Sequence, residues 1–205
     1  MFRSVSSFIS YAFHPLLMPV YAMILLFNLD SYLSFSISDQ IRMYIYATVF
    51  ISTFLLPALF SLFLLQKGMI RSLQMEDSTE RKYSFLTGAV FYFIGYMLLK
   101  MLPIPKLFPL VLLGANFILI AAMIVNRWWK ISIHTMGIGG LAGIIWTLPD
   151  ILYINIVPVF TVVLLLAGAI GSARLYESSH NAFQVYAGFF AGFIIEVITI
   201  RFLNS

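Results

Sequence analysis

The chain has 205 residues, of which 61% are hydrophobic and only 10% are Lys, Arg, Asp or Glu. In water-soluble domains about a quarter of the residues are charged, so this composition excludes a soluble globular protein. The net charge of +4 comes without a basic face or a binding motif, so we expect no nucleic-acid partner and assign the basic residues to lipid headgroups. The absence of cysteine excludes disulfides and thiolate chemistry.

Long uncharged stretches follow one another along the chain, and each approaches the length that crosses a bilayer as a helix. About 20 apolar residues span the roughly 30 Å of hydrocarbon, and continuous apolar runs do not match the alternating strands of a barrel. The stretches are residues 4–29, 43–66, 83–99, 107–126, 131–149, 151–173 and 178–195. They predict an all-α polytopic integral membrane bundle of six to seven transmembrane helices, forming a single domain over residues 1–205. We expect it in a bacterial cytoplasmic membrane, with a retained first helix.

Polar segments and prolines separate the predicted helices. The first polar segment is residues 67–84, the second is 127–134 and the third is 174–180; they follow helices two, four and six. Because each crossing changes the side of the membrane, all three are predicted to share one face. An excess of Lys and Arg favours a cytoplasmic location for that face, but several of these cations are candidate site residues, so the orientation stays open. Pro103 and Pro105 predict one turn, and Pro149 with Asp150 predicts another.

Two histidines stand at the predicted starts of helices five and seven, and each lies close to a cation. His134 follows Lys130, and His180 follows Arg174. Phosphoryl transfer requires cations around the phosphate oxygens, a nucleophile in line and an acid for the leaving oxygen. The free N–H groups of a helix N-terminus also favour an anion. The pattern therefore predicts a site for an anion such as the phosphate headgroup of a membrane lipid.

The third polar segment resembles a motif of the type 2 phosphatidic acid phosphatase superfamily. The family pattern is Ser-Arg, five residues, His, three residues, Asp, and here Ala173-Arg174 is followed at that spacing by His180 and Gln184. The helix that follows, with Val185-Tyr186-Ala187-Gly188, is also similar to the family.

Two further motifs extend the resemblance to residues of about 70–200. The family pattern Pro-Ser-Gly-His is matched in part by Ile131-Ser132-Ile133-His134, which keeps the serine and the histidine. The pattern Lys, six residues, Arg-Pro is matched by Arg81, with Gln74 and Lys82 at the positions of its lysine and proline. Order, spacing and the shared face of the three motifs fit the family.

The resemblance implies a phosphatase site that needs neither a metal nor another cofactor. It implies that His180 attacks phosphorus to form a phosphohistidine and that His134 protonates the leaving group. Arg81 and Arg174 would hold phosphate oxygens, and Ser132 would add a hydroxyl or backbone donor. We also infer that Lys130 replaces, in part, the missing lysine of the first motif.

Gln184 is the departure that bears most on activity, because the family has an aspartate there. A carboxylate orients a histidine and stabilises its cationic form, whereas a glutamine can only orient it. Glu177 is a second candidate for orienting His180. The interpretations left open are a lipid phosphatase, with membrane lipids including a phosphorylated substrate as its partners, and an inactive relative that binds headgroups or a partner protein. A small transporter or prenyl-transfer enzyme lacks a supporting inverted repeat or aspartate-rich pair.

Other polar and small residues receive structural interpretations. His14, before Pro15, is expected to satisfy a carbonyl freed by a proline kink or to face the interface. The acidic group Glu76, Asp77 and Glu80 is expected to pair with nearby cations rather than to bind a divalent ion. The glycines of the fifth and seventh helices have the small-xxx-small spacing that lets membrane helices approach closely; they are Gly139, Gly143, Gly188 and Gly192.

Overall fold

A computed structural model describes the backbone of residues 2–29, 31–73 and 78–204, and their side chains except those of residues 2–4, 34, 78 and 79. The described part is all-helical and contains no strand, which confirms the predicted fold class. Its α-helices are α1 (Phe2–Ala12), α2 (Met18–Asn28), α3 (Tyr32–Ser36), α4 (Asp39–Phe50), α5 (Leu56–Gln66), α6 (Ser78–Lys100), α7 (Leu107–Val125), α8 (Ile133–Leu152), α9 (Val157–Tyr176) and α10 (Ala182–Leu203).

Seven helical spans in the described residues are long and apolar enough to cross a membrane. They are Val5–Asn28, Asp39–Gln66, Glu80–Lys100, Leu107–Val125, Ile133–Leu152, Val157–Tyr176 and Ala182–Leu203. The first combines α1 and α2 across a 3₁₀ turn at Pro15–Leu17, and the second combines α4 and α5 across a π-helical turn at Ile51–Leu55. The chain is therefore a polytopic helical membrane protein, and its described residues form seven spans, the upper of the two predicted numbers.

Prolines shape three of these spans. Pro15 begins the 3₁₀ turn that breaks the first span after an extended His14, because proline fixes its own φ and lacks an N–H group. Pro57 follows the π-helical turn in the second span. The predicted turn at Pro149 is wrong, because α8 continues to Leu152 and ends at Tyr153 in the left-handed conformation, with φ 55°. Membrane helices tolerate an internal proline where neighbouring groups satisfy the freed backbone.

Helix α8 is the centre of the bundle, and glycines bring α10 against it. Buried residues make up 72% of the apolar stretch of α8 but only 22% of that of α9. A Cβ at Gly192 would lie 2.9 Å from the Cα of Met136, and one at Gly139 would lie 3.0 Å from the Cα of Phe189. The glycines thus let the two helices approach closely, as the small-xxx-small spacing predicts. This contact places the starts of α8 and α10 side by side.

Candidate functional site

The start of α8 is fixed by a serine cap. Ser132 is fully buried, and its side chain accepts from the backbone N–H of Thr135 at 3.5 Å. The backbone N–H of Ser132 donates to the carbonyl of Gln184 at 3.4 Å, which ties this turn to α10. His134 therefore lies in the first turn of α8, while the Ser132 hydroxyl serves the helix cap. The role of Ser132 as a phosphate donor stays a prediction.

The start of α10 is closed by a capping box that also holds His180. The Asn181 side chain accepts from the Gln184 N–H at 2.9 Å, and Gln184 Oε1 accepts from the Asn181 N–H at 3.1 Å. The same Oε1 atom lies 3.2 Å from Nδ1 of His180. Because a backbone N–H can only donate, it identifies the amide oxygen, and Nδ1 must then be the donor to it. Neutral His180 thus carries its proton on Nδ1, and its Nε2 atom keeps a lone pair.

His134 has the opposite arrangement. Its Nε2 atom lies 3.2 Å from the backbone carbonyl of Ser10 on α1. A carbonyl can only accept, so Nε2 of His134 carries a proton. His134 also interacts electrostatically with Arg174 and His180. The two histidines therefore present one Nε2 lone pair and one Nε2–H group within a single cluster.

Arg174, in the last turn of α9, is held by an acid and a hydroxyl. Its Nη1 atom donates to Glu177 Oε2 at 2.7 Å and to Ser10 Oγ at 3.2 Å. Ser10 Oγ also lies 3.4 Å from each carboxylate oxygen of Glu177. The Nε atom of Arg174 is buried without a hydrogen-bond partner. One N–H group of the buried guanidinium thus lacks an acceptor.

Burial and cations keep His180 neutral. Burial is the main cause that lowers the pKa of His180, to about 4, and the Arg174 guanidinium and Lys130 lower it further. The hydrogen bond to Gln184 and the nearby backbone carbonyl of Lys130 act in the opposite direction and do not offset burial. At neutral pH the imidazole is therefore uncharged, as a nucleophile must be.

The structure brings most of the predicted site residues together. His134, His180, Arg174, Lys130 and Gln184 form one cluster at the starts of α8 and α10 and the end of α9. The second and third polar segments thus meet, and the rings of Trp129 and Phe183 pack 5.3 Å apart beside them.

Of the two residues predicted to orient His180, only Gln184 contacts it. Gln184 bonds to His180, while Glu177 bonds to Arg174 and Ser10, and no contact of Glu177 with His180 is present among the described residues. Arg81 lies near the start of α6, and no described contact joins it to the two histidines. In the first polar segment, Glu80 Oε1 accepts from the Arg71 N–H at 3.1 Å. The predictions on Gln74, Glu76 and Asp77 lie outside the described residues.

Two residues of the first span, Ser10 and His14, contact the cluster although the sequence did not predict it. Ser10 had no predicted role, yet its carbonyl and hydroxyl contact His134 and Arg174. His14 was expected to satisfy a carbonyl or face the interface; instead its Nδ1 accepts from the Leu16 N–H at 3.3 Å, and its ring stands 5.8 Å from that of His134. Two polar residues four positions apart inside an apolar stretch were the available signal. Among the described residues, no group of three or more His, Asp or Glu side chains is placed to hold a metal ion.

Comparisons of the chain with protein-family models, with curated proteins and with solved structures found no match. The structure defines the class: a helical membrane protein whose described residues form seven spans, with a cluster of histidines and cations at the helix ends on one side.

Proposed function

We propose that the chain is a membrane phosphatase that hydrolyses a lipid phosphate or pyrophosphate through a phosphohistidine intermediate. The observation that carries the proposal is that the two histidines carry their protons on different ring nitrogen atoms. His180 keeps a lone pair on Nε2 because Gln184 accepts its Nδ1 proton, while His134 carries a proton on Nε2. A nucleophile and a proton donor in one buried cluster are the two groups that phosphoryl transfer requires of side chains.

The reaction follows from these two nitrogen atoms. The Nε2 lone pair of His180 attacks phosphorus, and the bond from phosphorus to the leaving oxygen breaks as that oxygen takes the Nε2 proton of His134. This step requires the imidazolium form of His134, with a second proton on Nδ1, so that loss of the Nε2 proton leaves a neutral imidazole. In the substrate-free protein this proton is bound to the Ser10 carbonyl, so the leaving oxygen replaces that acceptor. A water molecule then gives a proton to His134 and attacks phosphorus, which breaks the phosphorus–nitrogen bond and releases phosphate.

Arg174 and Lys130 would stabilise the negative charge of the bound phosphate. The buried Nε–H of Arg174 has no partner, and a phosphate oxygen would satisfy it. Lys130 acts electrostatically on His180 and therefore on a phosphate bound there. The proposed partners are membrane lipids, and the proposed location is a bacterial cytoplasmic membrane. Phosphatidic acid, phosphatidylglycerol phosphate and polyprenyl pyrophosphate are all candidate substrates.

Two contacts favour a second candidate, a protein that binds headgroups or a partner without turnover. Gln184 supplies no negative charge to a cationic phosphohistidine, and the Arg174 guanidinium is already paired with Glu177 at 2.7 Å. The missing charge lowers the stabilisation of the cation that forms during transfer, and the Glu177 carboxylate offsets part of the charge that Arg174 offers to a transferring phosphoryl group.

Phosphate release separates the two candidates. The wild-type protein, His180→Ala and the neighbouring control Ser179→Ala are reconstituted in lipid and given a panel of lipid monophosphates and pyrophosphates. Among the described residues, Ser179 makes one backbone hydrogen bond, to the Arg174 carbonyl, and its side chain makes none. We expect release by the wild type and Ser179→Ala and loss of at least 100-fold in His180→Ala. No release by any folded protein, with headgroup binding retained, would support the non-catalytic candidate.

A further inference from the structure

A carboxyl group lies inside the bundle, away from the histidine cluster. Glu196, in the middle of α10, is 1% exposed, and its Oε1 atom has no hydrogen-bond partner. Its carboxyl atoms occupy the space that a Cβ at Gly114 of α7 would fill, and its Cβ lies 3.1 Å from the position of a Cβ at Gly143. Glycines on two helices thus make room for an acid at membrane depth, where an ionisable residue generally marks a function.

No described cation neutralises this acid. Helix α7 has no titratable residue, and α8 has only His134 and Asp150, at its two ends. Helix α9 carries Arg174 and Tyr176 in its last turn, and on α10 the nearby Arg201 is paired with Asp150 at 2.7 Å. An ionised carboxylate without a counter-charge is among the costliest groups inside a bilayer.

A small cavity connects the carboxyl to one other polar side chain. Its volume is about 30 Å³, and it is lined by Glu196, Tyr92 and otherwise apolar residues and glycines. Tyr92 is 2% exposed. A buried water needs about 10–15 Å³ and two or more polar partners, so the cavity accommodates one or two waters. Pro15 and Ile133, the chain neighbours of His14 and His134, also line it.

We propose that Glu196 is an intramembrane proton-binding site: a carboxylic acid that keeps its proton at neutral pH and shares an internal water with the Tyr92 hydroxyl. The proton removes the cost of the charge, and the water hydrogen-bonds to the carboxyl group and to the phenol together. This water would lie in the small cavity that Glu196 and Tyr92 line. The site is independent of catalysis, since none of its groups touches the phosphate in the proposed reaction.

Infrared spectroscopy of protein labelled with ¹³C in the glutamate carboxyl groups tests this site. At pH 7.5 we expect the wild type to show a carboxylic-acid C=O band that Glu196→Gln loses. The matched control Glu177→Gln keeps the band, because Glu177 is ion-paired with Arg174 at 2.7 Å. Tyr92→Phe is expected to shift the band, because it removes one partner of the shared water.

The outcomes that overturn the proposal are distinct. The absence of an acid band in the wild type, or a band that persists in folded Glu196→Gln, would show that Glu196 is not protonated. An unshifted band in Tyr92→Phe would remove the shared water. If Glu196→Gln does not fold, a pH series on the wild type decides: an acid band that persists to pH 8 supports the site, and its absence contradicts it.

Discussion

At the scale of single residues, one amide oxygen closes a helix cap and orients a histidine. Gln184 Oε1 accepts from the Asn181 N–H at 3.1 Å and lies 3.2 Å from His180 Nδ1. Glutamine and glutamate are both favoured at this third position of a capping box. The residue that replaces the aspartate of the resembled motif thus retains the orienting hydrogen bond and lacks only the charge.

Gln184→Glu restores that charge without a change in length. Glutamate keeps both hydrogen bonds and adds a negative charge beside the His180 imidazolium that forms during transfer. We expect single-turnover phosphate release to rise about tenfold, which corresponds to about 1.4 kcal/mol, while Gln184→Leu lowers it by more than tenfold. An unchanged rate in folded Gln184→Glu would show that the missing charge does not limit turnover.

The pH profile of activity follows from the low pKa of His180. Burial lowers this pKa to about 4 from the usual 6.5, so the nucleophile is protonated only in more acidic solution. We expect the acid limb of the kcat/KM profile that reports His180 to lie near pH 4. The unfolded chain takes up this proton between pH 6.5 and 4, so the free energy of unfolding falls as the pH drops through that window. A pH titration of both quantities checks the shift, and a His180 limb at pH 6.5 would contradict it.

The sequence indicates the site residues that stand at helix ends but not those that tertiary packing adds. His134, His180, Arg174 and Lys130 follow from the polar segments, because connections between membrane helices must lie at the surface. Ser10 and His14 lie inside an apolar span, and only tertiary packing brings them to the cluster. The packing of α1 on α9 brings Ser10 to Arg174, and the packing of the 3₁₀ turn on α8 brings His14 to His134. The pairing of Glu177 with Arg174 likewise depends on the i,i+3 geometry at the end of α9.

At the scale of helices, the α8–α10 contact positions the site, and it depends on glycine. We expect Gly192→Ala to destabilise the protein by about 1–3 kcal/mol, because a Cβ there would lie 2.9 Å from the Cα of Met136. Gly168→Ala in α9 is the matched control, since nothing lies within 4 Å of its Cβ position and alanine favours a helix. Thermal unfolding in one detergent compares them. Equal midpoints for the two variants would contradict the close packing.

At the scale of the whole molecule, the seven spans predict on which side each connection lies. The chain has no cysteine, so a single introduced cysteine reports one position. We expect an impermeant thiol reagent to reach Leu73→Cys, Arg127→Cys and Ser178→Cys from one side, and Met101→Cys and Asn155→Cys from the other. All five positions are exposed. Labelling of the first three from different sides would contradict the arrangement, and their common side fixes the orientation.

Mapping the phosphoryl group during turnover tests the central claim most directly. The reconstituted protein is mixed with a ³²P-labelled lipid phosphate, quenched in alkali, in which phosphohistidine survives, and digested for mass mapping. We predict the label on His180, with none on His134 or His14 and none in His180→Ala. Label on another residue, or steady phosphate release without any label on His180, would contradict the assignment of His180 as the nucleophile.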